Sequence, residues 1–439
     1  MSGLLQLTHA SVAAAPSRHV VVISLDGFPA YALHDPSLPL RVLRRLMHEG
    51  GFADRVKTVN PTVTWPNHTA MVTGASPGES GVLYNGLPVR GGNGKPVRLQ
   101  SNPTKKELVQ IRTIYDVAHD KGLSTAEVAW VAIRDASSID WSLPESSRNG
   151  SQLQQEMVHE GLLSPEELKA SRKDSGLFHD EMRVRAAVYL IERHRPNLLL
   201  LHLAATDDVQ HTYGARNLAA QTALVLADRQ IQRILDAVDR AGIRDSTTVL
   251  VVSDHGFKSY QNTISPNVLL RQNGLIREAG GQPESDASVI VEGGSAYVYV
   301  TNEAKRASIL PILKGQFKRL TGIDKVISAE EFSTYDFPHM AGQSRMADLV
   351  LVAAPGYAFQ SRLPARETVM PVPPGGDNGT HGYLNSDPDM DAILVAWGAG
   401  VRPGSHTGTV PNVNVAATIA YLLKLEFDRA TPVFDLLTH

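Results

Sequence analysis

The stretch VVVISLDG at residues 20–27 decides the fold class of this 439-residue chain. Its continuous β-branched run shows no polar alternation, which is typical of a strand buried on both faces of a parallel sheet. Two further apolar runs, at 198–203 and 248–253, repeat the arrangement. Functional side chains of α/β folds lie just past the carboxyl ends of such strands. The aspartates that follow the three runs are therefore candidate site residues, and they are Asp26, Asp207 and Asp254.

Helical patterns separate these strands. The periodicity of apolar residues predicts helices over 105–121, 178–194 and 219–241. Strands that alternate with helices of this length predict an α/β fold with a mainly parallel central sheet flanked by helices. A last apolar strand at 393–397 and a helix around 415–423 return the chain to that sheet.

The sequence changes in character for about 120 residues after Gly256. A strand-like run at 288–300 with two central glycines, a helical pattern at 304–320 and a Pro/Gly-rich loop at 369–379 indicate an inserted α+β cap. We therefore divide the chain into a flexible lead-in or signal remnant at 1–17, an α/β catalytic core at 18–257 and 376–439, and an inserted cap subdomain at 258–375.

Composition excludes several classes of function. A net charge of −3 provides no field that would attract nucleic acid, so no nucleic-acid binding is expected. The chain contains no cysteine, which excludes disulfides, thiolate metal sites and cysteine nucleophiles. No run approaches the ~20 apolar residues of a membrane-spanning helix, so no membrane span is expected.

A set of carboxylates and imidazoles indicates a metal site. Asp207 and His211 are four residues apart, so one helical turn brings both to one side. Asp254 is followed directly by His255, and His381 lies in a glycine-containing loop. Three Asp and three His without sulfur suit zinc or a similar divalent ion better than calcium.

Each of these residues, taken alone, has a simpler interpretation. An aspartate after a strand is commonly a helix cap or a turn residue. His381 could be an ordinary loop residue, and an isolated Asp-His pair four apart is commonly a surface interaction. His202, inside its apolar run, is interpreted as a core histidine whose hydrogen bonds are satisfied, and not as a ligand. The order of the whole set along the chain is more specific than any member.

The stretch NPTVTWPNHTAMVTG at 60–74 places Thr64 just before a predicted helix. Unpaired backbone N–H groups and the positive end of the helix dipole would face an anion bound over its hydroxyl. The alternative is that Thr62 or Thr64 only caps the helix, as Ser and Thr often do.

Together these motifs resemble those of the type I nucleotide pyrophosphatase/phosphodiesterases, a branch of the alkaline phosphatase superfamily. The resemblance runs from about residue 19 to the end of the chain. It is carried by LDG at 25–27, PTVTWPNH at 61–68, DDVQHTYG at 207–214, SDHG at 253–256 and HGY at 381–383. Two departures stand out: SGV at 80–82 replaces a common His-Gly-Ile, and Trp65 replaces a common phenylalanine.

The resemblance implies an alkaline-phosphatase-like fold and a site for two Zn²⁺, with other divalent ions as alternatives. One ion would be held by Asp207, His211 and His381, and the other by Asp26, Asp254, His255 and the Thr64 oxygen. Thr64 would be the covalent nucleophile, and Asn85 would donate a hydrogen bond to a phosphoryl oxygen. The implied reaction is hydrolysis of a small phosphodiester or nucleotide pyrophosphate through a phosphothreonine intermediate.

The resemblance, together with a weak signal-like pattern at the N-terminus, favours a periplasmic or secreted location over a cytoplasmic one. It leaves the leaving group and the oligomeric state open.

The charge of the implied site favours a diester. Two Zn²⁺ against three carboxylates leave one positive charge, which matches a singly charged diester. A monoesterase normally adds a fixed Arg or Lys, and Arg134 is the nearest candidate in the sequence. A phosphomonoesterase or phosphonate hydrolase is the alternative. A sulfatase is disfavoured because the nucleophile position holds Thr, and an inactive phosphoester-binding protein is disfavoured because all seven ligand positions are intact.

Overall fold

The structure, a computed structural model, describes residues 17–92, 94–145, 150–170, 176–279, 282–361 and 367–438. The predicted lead-in at 1–17 lies outside the described residues except for its last member. No helix in the described ranges is long and apolar enough to cross a membrane.

The largest sheet among the described residues has eight strands. They are β1 His19–Leu25, β2 Gly51–Lys57, β3 Thr125–Val128, β4 Trp141–Leu143, β5 Leu198–Leu203, β6 Thr247–Val252, β7 Leu394–Gly398 and β8 Ser405–Pro411. Their order across the sheet is β8-β2-β7-β6-β1-β5-β3-β4. Only β7 is antiparallel to both of its neighbours, which confirms the predicted mainly parallel sheet.

Strand β1 lies at the centre of this sheet and is buried along its whole length. Successive side chains point to opposite faces, so Val21 and Ile23 join one apolar core while Val20 and Val22 join the other. Helices cover both faces, which explains why the run carries no polar alternation.

The register of β1 aligns the ends of three strands. Ser24 lies opposite His202 of β5 on one side and opposite Val252 of β6 on the other. The segments that follow these strands therefore leave the sheet at one edge, and they carry Asp26, Asp207 and Asp254.

The helices match the predicted pattern in most places. The 219–241 pattern forms Leu218–Arg240, and the 178–194 pattern forms Leu177–Tyr189 continued by a π-helical turn, Leu190–His194. The other α-helices in the described ranges are Ala30–His34, Arg41–Glu49, Thr64–Thr73, Pro77–Ser80, Lys105–Leu108, Ile114–Asp120, Gln152–His159, Pro165–Ala170, Ala205–Tyr213, Pro266–Gln272, Arg306–Lys318 and Asn414–Leu423.

The prediction of one helix over 105–121 is wrong, because the structure has two short helices there. The chain is extended at Val109, and Thr113 begins the second helix with a capping box. The Thr113 hydroxyl accepts the N–H of Asp116, and the Asp116 carboxylate accepts the N–H of Thr113. Apolar residues on both sides of the break keep a helical spacing, which hid the interruption.

The segment after residue 257 builds smaller sheets of its own. A four-stranded antiparallel sheet contains Ala287–Glu292, Ser295–Val300, Leu349–Ala353 and Ile323–Ser328 in that order. The first two of these strands form a hairpin whose turn is Gly293-Gly294. Tyr357–Phe359, Asn262–Ile264 and Val369–Pro371 form a three-stranded sheet. The division into a core and a cap at 258–375 stays a prediction.

Candidate active site

Thr64 is the first residue of the Thr64–Thr73 helix, and the residue before the helix, Val63, is extended. Neither predicted capping role is present: no side chain caps this helix, and the Thr62 hydroxyl donates instead to the Tyr383 carbonyl at 2.7 Å. The Thr64 hydroxyl oxygen lies 3.4 Å from Nε2 of His255. Thr64 thus sits at a helix N-terminus with its hydroxyl facing an imidazole, and 9 % of its surface is exposed.

One group that could hold a metal ion consists of Asp207, His211 and His381, whose potential ligand atoms lie within 4.8 Å of one another. Asp207 and His211 share one side of the Ala205–Tyr213 helix, with Oδ2 of Asp207 3.2 Å from Nε2 of His211. The other oxygen of Asp207 lies 3.7 Å from Nε2 of His381. The structure therefore brings together the three residues expected around the first ion.

A second group adjoins the first and shares Asp207 with it. Its ligand atoms belong to Asp26, Asp207 and His255 and again lie within 4.8 Å of one another. Nε2 of His255 is 3.3 Å from Oδ1 of Asp26 and 3.2 Å from Oδ2 of Asp254. The residues expected around the second ion thus converge on one nitrogen, although which residue holds which ion stays a prediction.

The three histidines are oriented as metal ligands require. Nδ1 of His211 lies 3.0 Å from the Gly379 carbonyl, Nδ1 of His381 lies 3.0 Å from the Thr62 carbonyl, and Nδ1 of His255 lies 3.1 Å from its neighbour's carbonyl. A carbonyl can only accept, so each Nδ1 carries a hydrogen, and Nε2 is the nitrogen that presents a lone pair when the ring is neutral. Fixing the tautomer through the distal nitrogen is how proteins prepare imidazole ligands.

Each of the three aspartates has one oxygen without a hydrogen-bond partner among the described residues. Oδ1 of Asp26, Oδ1 of Asp207 and Oδ2 of Asp254 are buried and accept no hydrogen bond. A buried carboxylate oxygen without a donor is costly unless a cation satisfies it. These oxygens and the free Nε2 atoms form a nitrogen and oxygen donor set that suits divalent zinc.

Electrostatics around these groups reflects the crowding of acids. Burial, followed by the charge of Asp207, raises the pKa of Asp26 well above its ordinary value. Burial and the nearby Asp26 raise the pKa of Asp254 in the same way. Burial opposes ionisation of Asp207 as well, but His211 outweighs it and holds the pKa of Asp207 below its ordinary value. A bound cation would relieve the repulsion between these carboxylates.

The pKa values of the three histidines shift in different directions. Burial lowers the pKa of His255 and, to about 4, that of His381, so both are neutral near pH 7. Burial also opposes the charged form of His211, but the Asp207 carboxylate outweighs it and raises the pKa of His211 to about 9. Neutral imidazole is the form that binds a metal ion.

Asn85 is oriented toward the helix that begins at Thr64. Its Oδ1 accepts the N–H of Trp65 at 2.8 Å. Because the oxygen is engaged, the amide NH₂ is the end left to donate. Arg345 holds the preceding loop by donating to the Gly81 carbonyl at 2.8 Å and to the Leu108 carbonyl at 2.6 Å.

The segment after residue 257 contacts this site through the hairpin turn Gly293-Gly294. The Gly294 N–H donates to the His381 carbonyl at 2.8 Å, and the Gly382 N–H donates to the Thr62 carbonyl at 3.1 Å. A Cβ on Gly293 would lie 2.4 Å from the His381 carbonyl oxygen. The hairpin, the His381 loop and the Thr62 segment therefore touch through their backbones, and the close approach requires glycine.

Sequence reasoning missed Glu292 and Asp180. Glu292, next to the hairpin turn, is buried and accepts the N–H of Asn85 at 3.4 Å, and burial raises its pKa to about 8. Asp180 accepts the N–H groups of Ala204 and Ala205, both at 2.9 Å, and so caps the helix that carries Asp207. A charged residue ending an apolar strand was the available signal for Glu292.

Two other residues considered in the sequence are now located. Arg134 donates to the Asn102 carbonyl at 2.8 Å and pairs with Asp135 at 2.9 Å, so its guanidinium is engaged away from the ligand residues. His202 is buried as expected, but its partner is the candidate ligand Asp26.

Comparison with known proteins agrees with the motifs. The sequence model of the family described as type I phosphodiesterase / nucleotide pyrophosphatase matches residues 20–384. Human ectonucleotide pyrophosphatase/phosphodiesterase family member 1 is 22 % identical over 419 residues, which cover 92 % of this chain and 40 % of the relative. An uncharacterised pyrophosphatase/phosphodiesterase of Schizosaccharomyces pombe is 24 % identical, with 92 % of this chain and 77 % of the relative covered. Venom phosphodiesterase of Naja atra is 22 % identical, with 93 % and 44 % covered.

Solved structures show the same fold. Murine ectonucleotide pyrophosphatase/phosphodiesterase 5, as an inactive variant in complex with AMP, superposes with a TM-score of 0.73 at 19 % identity, covering 96 % of this chain and 100 % of that one. The chain spans less than half the length of the human and cobra relatives. A family model that matches most of the chain establishes that the chain belongs to the type I phosphodiesterase/nucleotide pyrophosphatase family.

Proposed function

We propose that the chain hydrolyses phosphodiester or nucleotide pyrophosphate bonds through a phosphothreonine intermediate on Thr64. The observation that carries this proposal is the position of the Thr64 hydroxyl, at a helix N-terminus and 3.4 Å from the His255 nitrogen on which Asp26 and Asp254 converge. A hydroxyl beside an anion-binding helix end and a cation site is arranged for attack on phosphorus.

The reaction divides into two displacements. The Thr64 oxygen attacks phosphorus, the bond to the leaving alcohol or nucleotide breaks, and the leaving group departs with a proton. Water then attacks the phosphothreonine, which releases a phosphomonoester and restores the Thr64 hydroxyl. In the first helical turn the Trp65 N–H is taken by Oδ1 of Asn85, Pro66 has no N–H, and the Asn67 N–H donates to the Val63 carbonyl. The Thr64 N–H is therefore the one that would face a phosphoryl oxygen, and the Asn85 amide NH₂ would donate to another.

Two divalent ions, with zinc as the best match, fit the two groups of ligands that share Asp207. When bound, such ions would supply the positive charge that favours the ionised form of the Thr64 hydroxyl and neutralises charge on the phosphoryl group. The residues that would hold them are Asp26, Thr64, Asp207, His211, Asp254, His255 and His381.

The charged groups near the site favour a diester over a monoester. Lys258 lies opposite Thr380, beside the His381 loop, but its ammonium pairs with Asp387 and Asp389. Arg134 is likewise paired elsewhere. The phosphomonoesterase or phosphonate hydrolase alternative requires a cation that binds the additional phosphoryl charge, and these two candidates are already engaged.

A substrate panel tests the proposal. Zinc-loaded protein is assayed with p-nitrophenyl phosphate, bis-p-nitrophenyl phosphate and p-nitrophenyl thymidine monophosphate, and compared by kcat/KM. We expect the better diester to exceed the monoester tenfold or more, which is about 1.4 kcal/mol of transition-state discrimination. A larger kcat/KM for the monoester than for both diesters would reverse the assignment in favour of the alternative. Undiminished turnover after removal of metal would refute the proposed site.

We infer a periplasmic or secreted location from the names of the relatives, which are ectonucleotide and venom enzymes. Fractionation of cells that express the natural gene tests this inference, and recovery with the cytoplasmic markers would contradict it.

A further inference from the structure

His202 lies in strand β5 directly opposite Ser24 of β1, one strand away from the candidate ligand Asp26. Its side chain is 1 % exposed. It is not a ligand in either group of metal-ligating residues in the described ranges. It nevertheless makes a direct hydrogen bond to a residue of the candidate site, Asp26.

Both ring nitrogens of His202 are hydrogen-bonded. Nδ1 lies 3.0 Å from the Ala129 carbonyl, and Nε2 lies 2.9 Å from Oδ2 of Asp26. The carbonyl can only accept, so Nδ1 carries a hydrogen. When Asp26 is ionised as a metal ligand, its Oδ2 can also only accept, so Nε2 carries the second hydrogen and donates it to Oδ2. Oδ2 of Asp26 is thereby engaged, while Oδ1 is the oxygen without a partner that faces His255.

The carbonyl that anchors His202 is itself fixed. Ala129 adopts a left-handed conformation with φ of 55°, and its N–H donates to the Leu143 carbonyl at 2.7 Å. The next N–H, of Trp130, donates to the buried Glu127 carboxylate at 3.0 Å. A non-glycine residue in this conformation persists only when its surroundings hold it.

The ring of His202 is also confined by aromatic neighbours. His68 packs against it edge to face with the ring centroids 4.5 Å apart, and Trp130 packs against His68 at 4.7 Å. His68 belongs to the helix that begins at Thr64, and its Nδ1 lies 2.9 Å from the Thr64 carbonyl. The ring therefore has one orientation, set from both sides.

We propose that His202 is a positioning residue for the metal centre: it holds one oxygen of Asp26 so that the other faces the ion. The inference rests on the proposed function in that it assumes that Asp26 is a metal ligand. Hydrogen bonds to the distal oxygen of a ligating carboxylate fix its direction, and their loss costs metal proteins about 10–100-fold in affinity.

Two substitutions at the same position separate this role from simple packing. The side-chain amide nitrogen of Gln reaches the place of Nε2, so His202→Gln keeps a donor to Asp26. The amide nitrogen of Asn reaches the place of Nδ1, so His202→Asn keeps only the donor to Ala129. His19→Asn is the matched control, because His19 is a buried histidine whose Nδ1 lies 2.9 Å from the Pro196 carbonyl at the opposite end of β1.

The readout is zinc binding, measured by competition with a chromogenic chelator and by elemental analysis after dialysis. We expect His202→Asn to bind one of two ions about 10–100-fold more weakly, and His202→Gln to stay within a few-fold of wild type. His19→Asn should bind both ions normally. Wild-type affinity for both ions in His202→Asn, or an equal loss in the Gln and Asn variants, would overturn the proposal.

Failure of His202→Asn to fold would be detected by near-ultraviolet circular dichroism of the metal-free protein. In that case the wild type, labelled with ¹⁵N-histidine and assigned with the Gln variant, gives the answer. Zinc should shift the Nε2 resonance of His202, and an unmoved resonance would overturn the proposal.

The proposed function can fail separately: a wild type that binds two ions but cleaves no phosphoester refutes hydrolysis and leaves the role of His202 intact.

Discussion

Replacement of Asp254 by asparagine should have opposite effects on stability and on metal binding. The Asp254 side chain is fully buried, and its Oδ1 accepts two backbone N–H groups, those of Gly27 at 3.1 Å and His255 at 3.0 Å. Asparagine has the same shape and keeps that acceptor. The other oxygen has no donor in the described structure and shares the surroundings of His255 Nε2 with Oδ1 of Asp26.

The size of the effect follows from the crowded charges. The facing oxygens of Asp26 and Asp254 lie 3.3 and 3.2 Å from the same His255 nitrogen. Two unit charges at a separation of about 5 Å and an effective dielectric constant near 20 repel by about 3 kcal/mol. Part of this repulsion is already relieved because burial and Asp26 raise the pKa of Asp254. We therefore expect Asp254→Asn to raise the free energy of unfolding of the metal-free protein by about 1–3 kcal/mol. With an unfolding entropy of about 2 cal/mol/K per residue, this corresponds to about 1–3 °C in Tm for a chain of this length.

The assay is thermal unfolding with chelator and with zinc. Zinc at about 100 times its Kd stabilises a protein by about 2.7 kcal/mol per site. The variant should lose the stabilisation that one of the two sites supplies. Asp228→Asn is the matched control: Asp228 is a buried aspartate that accepts the N–H groups of Val42 and Leu43, and its replacement should lower Tm and leave the response to zinc unchanged. A lower Tm of metal-free Asp254→Asn, or a full response to zinc, would refute the reasoning.

Three further predictions use the same assays. Thr64→Ala should abolish most hydrolysis while zinc content stays near two ions, because six protein ligands remain. Thr62→Ala removes the hydrogen bond from the Thr62 hydroxyl to the Tyr383 carbonyl and should keep the activity. Asn85→Ala should lower kcat by about 10²-fold, as expected for one lost donor to phosphoryl charge. Burial raises the pKa of Glu127 from 4.5 to about 7. The folded protein therefore loses about 3 kcal/mol of stability as pH rises across that interval. Urea unfolding at a series of pH values should show that Glu127→Gln does not have this loss.

Each of these three has a result that contradicts it. Wild-type rates in Thr64→Ala together with an inactive Thr62→Ala would show that the nucleophile was assigned to the wrong threonine. An Asn85→Ala enzyme with unchanged kcat would remove the amide from the mechanism. A difference in unfolding free energy between Glu127→Gln and wild type that stays constant from pH 5 to pH 8 would mean that this carboxyl ionises normally in the folded protein.

The strand ends could be predicted from the sequence because parallel pairing brings them to one edge. The apolar runs located Asp26, Asp207 and Asp254, and helical spacing located His211. His381 was counted as a candidate ligand although its glycine-containing loop carries little local signal, and the role of Asn85 came only from the family resemblance. The geometry now places these residues together.

The missed features have physical reasons. Glu292 meets Asn85 across 207 residues of sequence, and nothing local announces such a contact. Asp180 caps a helix that begins 25 residues later, so its role depends on tertiary packing. His202 was hidden inside an apolar run, where burial was evident and its partner was not. The break at Thr113 did carry a readable signal, since Thr113 and Asp116 have the spacing of a capping box.

The backbone contacts between Gly294, the His381 loop and Thr62 have a consequence for how the protein folds. The Gly382 N–H bonds to the Thr62 carbonyl across 320 residues of sequence, whereas β1 pairs with β5 across the 178 residues from Val20 to Leu198. The longer loop closes at the greater entropic cost, so the β1–β5 pair can form first. In hydrogen exchange during refolding, the amide of Gly382 should therefore gain protection after those of β1 and β5, and catalytic competence should return with it.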